Sequence, residues 1–387
     1  MNKRTAMVGL TALATGMAAL SGVAHASSLS VSVAPFGTMP GGQPVQKYRL
    51  ENSNGMEVDV ITYGGAIQAI KVPDKDGHIA DVALGFDNLG DYLHTDTYCG
   101  ALIGRYGNRI AKGEFTLDGK TYHAPINNGP NSLHGGSQGF DKAVWAASKI
   151  EMPNAVGVEL THFSPNGDMG YPGNLAVTVR YLLDDNNDLR IHYSAVDDQP
   201  TVLNLTNHTY FNLAGAGSGT VLDQIAMINA GKITPVDSSL IPNGNFMDVA
   251  GTDLGFTTPT AIGAHIKDDN PQLKFAETKQ GGYDFNYVLD NPGNLNALAA
   301  SVLDPKSGRT VEMYTDQPGV QFYTANFLND VHGKDGQVYP HWGAFTLEAQ
   351  HFPDSPNHPS FPSTELKPGE KYSQTTIYKF LPTNLPS

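Results

Sequence analysis

The run LAVTVRYLLDDNNDLRIHYSAV (residues 175–196) decides the class of fold. Apolar and polar side chains alternate along it on both sides of the polar stretch DDNND, which is the pattern of β-strands with one buried face. Long helical periodicity, with apolar residues three or four positions apart, is nearly absent from the whole chain. The run therefore predicts antiparallel β structure.

Runs of the same kind extend outward in both directions and are separated by turn-forming residues. Examples are EVDVITYGG (57–65), GEFTLDGKTYHA (113–124), VQFYTANFL (320–328) and HWGAFTLEAQ (341–350). Many short strands at fairly even spacing predict an all-β protein, a large antiparallel β-sandwich. No exact internal repeat or low-complexity linker interrupts the sequence, so residues 27–387 are expected to form a single domain.

The composition restricts the partners. The 387 residues carry a formal net charge of −14, and their 24 Lys and Arg residues form no basic run. Nucleic acid and anionic membrane surfaces require basic patches, so a neutral small molecule is the favoured partner. Cys99 is the only cysteine, which excludes an internal disulfide and favours a small buried side chain.

Residues 1–26 have the pattern of a signal peptide. A Lys-Arg pair precedes an apolar run, and Ala-His-Ala at positions 24–26 has the small-x-small spacing of a signal peptidase site. We expect cleavage after Ala26 and export, to the periplasm or as a secreted protein, with no membrane contact afterwards. An N-terminal membrane anchor is the alternative, which the short, Gly- and Thr-interrupted apolar run disfavours.

The segment TVLNLTNHTYFNLAG (201–215) carries an unusual polar face. In an extended strand, Leu and Phe side chains would lie mostly on one face. The other face would carry Asn204, Thr206, His208, Tyr210 and Asn212. Amides, an imidazole and a phenol orient a hydroxyl-rich ligand through hydrogen bonds, so this face predicts a polar site around His208.

Glu348 is the most suggestive carboxylate. Alternation in the strand 343–350 places it on one face with Thr346 and Gln350, opposite apolar side chains, although strands disfavour glutamate. The next segment, HFPDSPNHPSFPS (351–363), holds four prolines and two histidines. The spacing of these histidines matches no familiar ligand set, so no metal site is predicted.

Four further polar side chains lie in glycine-rich or aromatic surroundings. Arg109 and His134 each lie among glycines, which allow close approach to a ligand. Asp284 lies among aromatic residues and Gln321 shares a strand face with Tyr323, a setting suited to hydroxyl groups. Each also has a structural interpretation, as a surface arginine, a solvated histidine, a turn cap or a buried amide.

A carboxylate and an imidazole together can take and give a proton at opposite ends of one small substrate. No glycine-rich phosphate loop, nucleophile elbow or dinucleotide fingerprint opens a helix in the sequence. The residues therefore favour proton transfer without a cofactor.

Six segments, in chain order, closely resemble the aldose 1-epimerase (galactose mutarotase) family. They are GRYGNRIAKGEFTLDG (104–119), NNGPNSLHGG with GFDKAVW (127–145), LTNHTYFNLAG (205–215), GGYDFNYVL (281–289), QPGVQFYTANFL (317–328) and TLEAQHFPDSPNHPSFPSTELKPGEKY (346–372). The resemblance extends over roughly residues 48–380. It implies the large β-sandwich of galactose mutarotases with an open sugar-binding cleft.

The resemblance also implies a reaction, the interconversion of α and β anomers of free hexoses such as glucose and galactose. Glu348 would be the general base that removes the proton of the C1 hydroxyl, and His208 the general acid that protonates the ring oxygen. The open-chain aldehyde would rotate about C1–C2 and close again to the other anomer. An ionised Glu348 and a protonated His208 are then expected at the start, with activity falling at low pH as the carboxylate is protonated and at high pH as the imidazolium is lost.

Five further residues receive binding roles from the resemblance. Arg109 and His134 would bind sugar oxygens near the reacting carbon, Asp284 and Gln321 the more distant hydroxyls, and Asn108 would be a minor contact. We expect His208 and Glu348 on the same side of the sheet, one sugar ring apart, with Arg109 and His134 at the rim.

Other interpretations of the same residues remain open. A non-catalytic carbohydrate-binding protein could use the same scaffold. A glycoside hydrolase would need a second carboxylate, for which Asp284 is the candidate, and a phosphosugar enzyme would need more cations than Arg109. Phe285 and Ala349 replace the His and Thr of many relatives and are expected to affect sugar preference. We expect a monomer or a weak dimer.

Overall fold

The computed structural model describes Met1, residues 28–275 and residues 281–383. Apart from Met1, the predicted signal peptide (1–26) lies outside the described residues, so its prediction stays untested. None of the described helices is long and apolar enough to cross a membrane.

The N-terminal part of the described chain forms a five-stranded antiparallel sheet whose strands are neighbours in chain order. These are β1 (Ser30–Thr38), β2 (Pro44–Glu51), β3 (Glu57–Ile61), β4 (Ile67–Pro73) and β5 (Ile79–Asp81). Short elements follow: α1 (Leu89–Leu93), β6 (Leu102–Ile103), β7 (Arg109–Ile110), β8 (Glu114–Leu117), β9 (Lys120–His123) and β10 (Ser132–Leu133).

Long hairpin strands come next, followed by short strands and one short helix. These elements are β11 (Ala146–Met152), β12 (Ala155–Ser164), β13 (Leu175–Asp184), β14 (Asp188–Asp197), β15 (Thr201–Val202), β16 (Thr206–Asn207), β17 (Tyr210–Phe211), β18 (Ile225–Ile228), β19 (Lys232–Ile233), β20 (Met247–Asp248), β21 (Thr260–Ala261), α2 (Pro271–Lys274) and β22 (Asp284–Val288).

The C-terminal part completes the sheets. Its strands are β23 (Leu298–Leu303), β24 (Arg309–Thr315), β25 (Gly319–Tyr323), β26 (Val331–His332), β27 (Val338–Tyr339), β28 (Phe345–Gln350), β29 (Glu365–Leu366) and β30 (Tyr372–Pro382). Single 3₁₀ turns occupy Ala111–Gly113, Phe140–Lys142, Asp168–Gly170, Lys334–Gly336 and Ser355–Asn357.

The run 175–196 forms the hairpin β13–β14, the third and fourth strands of a nine-stranded antiparallel sheet. The strand order is β11-β12-β13-β14-β30-β24-β23-β18-β21. Along β13, Val177, Val179 and Tyr181 are buried while the residues between them are more exposed. The alternation in the sequence therefore reports one buried face.

A six-stranded antiparallel sheet, β17-β28-β25-β22-β19-β20, packs on the nine-stranded sheet. The Tyr378 hydroxyl on β30 donates to the carbonyl oxygen of Leu347 on β28 at 2.6 Å, and the rings of Phe211 and Tyr378 lie 5.4 Å apart. Apolar side chains from both sheets form one continuous core. The prediction of an all-β sandwich is confirmed.

The segment 201–215 is not one strand. It forms β15, β16 and β17, which pair with β29, β6 and β28 respectively. Asn204 and Asn212, placed on a ligand face by strict alternation, instead donate to backbone carbonyl oxygens at 3.0–3.2 Å. That part of the prediction is wrong, because amides tie the irregular chain together where ladder hydrogen bonds are interrupted.

Candidate active site

A cavity of about 280 Å³ lies against the outer face of the six-stranded sheet, with the half-exposed Phe327 among its walls. Six of the seven residues predicted from the sequence line this cavity. They are Asn108, Arg109, His134, His208, Asp284 and Glu348. Residues separated by up to 240 positions thus meet at one cavity, and the seventh, Gln321, lies behind its wall.

Gln321 is a buried neighbour of the cavity. In the sheet it pairs with Asn286 on one side and Glu348 on the other. Its amide nitrogen donates to Asp284 Oδ1 at 2.7 Å, and its amide oxygen accepts from Gln350 Nε2 at 3.1 Å. The structure therefore places Gln321 where it holds the Asp284 carboxylate, and gives it no contact with the cavity itself.

His208, in the short connection between β16 and β17, faces Glu348 on β28. His208 Nε2 lies 3.6 Å from Glu348 Oε1, and the two residues are 4% and 2% exposed. The Thr346 hydroxyl donates to Glu348 Oε1 at 2.8 Å, while Oε2 has no hydrogen-bond partner among the described residues. The two side chains share one side of the sheet as predicted, but are closer than the width of a sugar ring.

Burial shifts the pKa values of this pair in opposite directions. Desolvation raises the pKa of Glu348 to about 8, with the Asp284 charge adding to the rise and the Thr346 hydrogen bond opposing it. Desolvation lowers the pKa of His208 to about 4. At pH values between about 4 and about 8 the pair holds one proton, and burial favours the position of this proton on Glu348 in the free protein. This is the reverse of the distribution expected from the resemblance.

His134 and Arg109 form the wall beside the pair. The Asn108 backbone N–H donates to His134 Nδ1 at 3.1 Å, and Arg109 Nε donates to Asn128 Oδ1 at 3.1 Å. Burial, together with the neighbouring His208 and Arg109, lowers the His134 pKa well below 6.5. Arg109 and His134 are 5% and 6% exposed, so the expectation that they lie at the rim is wrong.

The chain turns sharply to present this wall. Asn108 and His134 both adopt positive φ, 62° and 51°. The Asn108 side chain accepts from the Arg109 backbone N–H at 2.9 Å, and the His134 N–H donates to the Asn108 carbonyl oxygen at 3.0 Å. Asn tolerates this conformation because its short amide bonds locally. The glycine-rich sequence thus predicts the turns, although the pairing between them depends on the fold.

Three side chains of the cavity could in principle hold a metal ion. His134, His208 and Glu348 offer ligand atoms within 4.8 Å of one another. However, His134 Nδ1 accepts a backbone N–H, so the proton of the neutral ring lies on Nε2 and blocks that nitrogen as a ligand. The trio therefore fits a hydrogen-bond donor beside an acid–base pair better than a metal centre.

The two histidines of the proline-rich segment make separate structural contacts. His351 Nδ1 lies 2.9 Å from Gln317 Oε1, and His358 Nε2 lies 3.1 Å from Asp354 Oδ2. Asp354 in turn donates its backbone N–H to the Arg109 carbonyl oxygen at 2.8 Å and accepts from the Ala111 N–H at 2.9 Å. This segment supports the backbone that carries Arg109.

Phe285 and Ala349 lie on the core face of their strands. Both are buried in the main hydrophobic core, on the side opposite to Asp284 and Glu348. The expectation that they alter sugar preference is not supported by their position, because adjacent strand residues point to opposite faces.

Sequence reasoning missed two aromatic residues that line the cavity. Tyr98 lies at positive φ with its ring 4.7 Å from that of His134, and Phe327 stacks on Tyr323 with ring centroids 6.1 Å apart. The available signal was their position. Phe327 lies within the motif QPGVQFYTANFL (317–328), and Tyr98 lies shortly before the glycine-rich motif that begins at Gly104.

Comparisons with known proteins agree with this geometry. The model of the aldose 1-epimerase family matches residues 46–379. Galactose mutarotase from Bos taurus is 46% identical over 354 residues, covering 91% of this chain and 99% of the relative. Aldose 1-epimerase from Escherichia coli K12 is 37% identical over 344 residues, covering 88% and 97%.

Solved structures give the same result. The crystal structure of galactose 1-epimerase from Lactobacillus acidophilus aligns with a TM-score of 0.81 at 29% identity, covering 92% of this chain and 100% of that one. An aldose epimerase homologue from C. elegans aligns with a TM-score of 0.77 at 30% identity, covering 86% and 97%. From its fold, its motifs and these matches, the chain belongs to the aldose 1-epimerase family.

Proposed function

We propose that this protein interconverts the α and β anomers of free hexoses, glucose and galactose among them, with Glu348 and His208 as its proton carriers. Family membership makes it an isomerase, and the related proteins include galactose mutarotases and aldose 1-epimerases. The observation that carries the residue assignment is the buried pair, 3.6 Å apart, at the wall of the 280 Å³ cavity.

The short distance suits the two atoms on which the pair acts. The C1 hydroxyl and the ring oxygen of an aldose are bonded to the same carbon, so base and acid must approach neighbouring oxygens. Glu348 accepts the proton of the C1 hydroxyl while His208 gives a proton to the ring oxygen, and the C1–O5 bond breaks to leave the aldehyde. After rotation about C1–C2, the reverse transfers close the ring to the other anomer.

Ring opening ends with the proton on Glu348 and a neutral His208. Burial favours this same distribution in the free protein, since it raises the pKa of Glu348 and lowers that of His208. Binding of a cyclic sugar therefore has to move one proton from Glu348 to His208 before the first step. The unpartnered Glu348 Oε2 and the nearby Arg109 favour the ionised carboxylate once sugar hydroxyls donate to it.

The other polar side chains hold the sugar. The His134 Nε2–H and the Arg109 guanidinium are fixed donors beside the reacting carbon, where oxygen gains negative charge during ring opening. Asp284, held by Gln321, accepts from more distant hydroxyls, and Asn108 makes a minor contact. Gln321 then acts through Asp284 and makes no direct contact with the sugar.

The site also bears on the alternatives. Arg109 is the only Lys or Arg among the described residues that line the cavity, which disfavours a phosphorylated sugar. Asp284, the second carboxylate a hydrolase would need, is bonded to Gln321 as a hydroxyl acceptor. No observation favours a non-catalytic sugar-binding protein, because such a protein has no need of a buried acid–base pair.

Export, a single domain and a monomeric or weakly dimeric state belong to the same proposal. The N-terminal sequence supports export to the periplasm. One family model over residues 46–379 and a main core shared by the two large sheets support one domain from residue 27 to 387.

Polarimetry tests the proposal directly. Freshly dissolved α-glucose and α-galactose are followed with wild type and with Glu348→Gln, which keeps the shape of the side chain. Wild type should speed the approach to equilibrium for at least one sugar, and the variant should lose about 10²–10⁴ of that rate. A wild type that leaves the spontaneous rate of every aldose unchanged would disprove the function.

A further inference from the structure

We propose that Tyr98 is a positioning residue for this reaction, whose ring fixes the two cavity histidines and closes the cavity behind them against water. The inference rests on the proposed function for its kinetic consequences, but its structural part can be tested without activity. It also assigns a purpose to the GFDK stretch (139–142), which the proposed catalytic residues leave unexplained.

The ring of Tyr98 lies against both imidazoles. Its centroid is 4.7 Å from His134 at an interplanar angle of 66°, and 5.8 Å from His208 at 38°. The two imidazoles are themselves edge-on, 5.2 Å apart at 88°. Three rings in mutual contact restrict each other's rotation, so Tyr98 limits the directions in which His208 can present its nitrogen.

The backbone around Tyr98 is tied to the backbone of His208. The Gly100 N–H donates to the His208 carbonyl oxygen at 3.0 Å, and the His208 N–H donates to the Ala101 carbonyl oxygen at 2.9 Å. Tyr98 itself adopts φ of 59°, and its carbonyl oxygen accepts from the Ala101 N–H at 3.1 Å. A non-glycine residue holds this conformation only when its surroundings require it, so the turn delivers the ring to a set position relative to His208.

Tyr98 also borders two cavities. Tyr98 lines the 280 Å³ cavity and also a smaller space of about 20 Å³ bounded by Tyr63, Asp141 and Lys142. A space of that size has room for about one water molecule. Loss of the ring, which borders both spaces, would join them and bring more water to the imidazoles that it contacts.

The GFDK stretch supports the outer side of the ring. Lys142 Nζ lies 5.7 Å from the Tyr98 ring centroid and bonds to Asp141 Oδ2 at 3.0 Å. A cation over a ring face attracts the ring, and the buried Asp141 keeps the cation in place. Tyr98 is therefore held by contacts with Lys142 and with the two histidines.

Water admitted behind His208 would change its proton affinity. The charged form of the ring would be better solvated, so its pKa would rise from about 4 towards 6.5. The titratable and charged groups that lie around it are Glu348 from β28, Tyr210 from β17, Tyr323 from β25, His134 and Tyr98 from their loops, and Arg109 and Asp284 in the same cavity. Of these, Tyr98 is the one that also borders the 20 Å³ space.

The test compares Tyr98→Ala with Tyr98→Phe. Side-chain ¹H–¹⁵N NMR of the imidazoles, titrated with acid, reports the proton affinity of His208 whether or not the protein turns over sugar. Tyr98→Ala should raise the midpoint by about one pH unit, lower kcat about tenfold with a smaller change in KM, and move the acid limb of the kcat/KM profile to higher pH. Tyr98→Phe keeps the ring and should show the wild-type His208 midpoint, kcat and acid limb.

Tyr122→Ala is the matched control. Tyr122 also stacks on an aromatic ring, that of Phe115, and also has a lysine over its face, Lys120 at 4.9 Å, but it lies outside the cavity. Its truncation should leave the His208 midpoint and the acid limb unchanged. Equal NMR midpoints in wild type and a folded Tyr98→Ala, or the same shift in Tyr122→Ala, would overturn the inference. Failure of wild type to speed mutarotation, with the NMR shift present, would instead reject the proposed function.

Discussion

The two large sheets of the sandwich use burial in different ways. The nine-stranded sheet has long strands, of 10 residues in β13 and 11 in β30, with a single buried face in its β13–β14 hairpin. Every residue of β25 and β28 in the six-stranded sheet is buried. One face of the latter sheet packs on the core and the other forms a polar wall with Asp284, Gln321 and Glu348.

The difference separates stability from chemistry. Apolar burial in the nine-stranded sheet stabilises the fold at about 25 cal/mol per Å². A buried carboxyl group with an unpartnered oxygen instead lowers the stability of the fold, and such a group is retained where function requires it. The polar wall is thus a region that the rest of the sandwich has to stabilise.

Truncation in the nine-stranded sheet should give the largest effect on stability. Ile191 on β14 is fully buried in the main core. Ile191→Ala should lower the free energy of unfolding by about 4 kcal/mol, through lost apolar burial and the cavity left behind. Urea unfolding measures this, and kcat/KM of the folded fraction should stay at the wild-type value. A large loss of activity in fully folded protein would break the separation between the sheets.

Glu348→Gln should raise the free energy of unfolding at high pH, whereas Ile191→Ala lowers it. The folded protein raises the Glu348 pKa from 4.5 to about 8, so its stability contribution is fully present below pH 4.5 and is lost as pH rises through 8. The neutral amide avoids this loss, so the variant should gain on the order of 3 kcal/mol over wild type at pH 9 and almost nothing at pH 4.5.

Urea unfolding of both proteins at the two pH values checks the Glu348→Gln prediction. Gln350→Glu would add a second buried carboxyl to the same face and serves as a control with the reverse sign. A variant that is less stable than wild type at pH 9 would show that the ionised carboxylate is well paired, contrary to its unpartnered Oε2.

The pH dependence of activity should show two limbs, each of about tenfold per pH unit. Below about pH 4 His208 gains a proton and the pair holds two, and above about pH 8 Glu348 loses its proton and the pair holds none. Polarimetry from pH 3 to 10, corrected for the spontaneous rate, measures this as kcat/KM. Ile191→Ala should show the same limbs, whereas a flat profile would contradict the assignment of the pair.

The sequence predicted the strands best where apolar and polar side chains alternate. β13 and β14 alternate between buried and more exposed residues, and β28 alternates in residue type although all of it is buried, so the side of the sheet on which Glu348 lies could be predicted from the sequence alone. The segment 201–215 failed this reasoning because residues 201–213 are all buried, and side-chain amides there replace the regular ladder. The resemblance predicted a role for His208 nonetheless, since motifs report residue identity and do not depend on regular strand geometry.

It was harder to predict where each residue lies within the site than to predict which residues line it. Arg109 and His134 were expected at the rim but are buried, and Gln321, for which a sugar contact was predicted, donates to Asp284. Tyr98 was missed altogether, because its role depends on ring contacts with residues 36 and 110 positions away in the chain.

The sequence by itself determined the β class and the family with its sugar-directed chemistry, and it predicted His208 and Glu348 as the acid–base pair, because alternation and motif residues are local properties of the chain. The tertiary structure decided the 3.6 Å approach of His208 to Glu348, the burial that shifts their pKa values in opposite directions, and the placement of Tyr98 behind them. Distance and desolvation arise only when β17, β28 and the glycine-rich turns pack together, so no local pattern could have stated them.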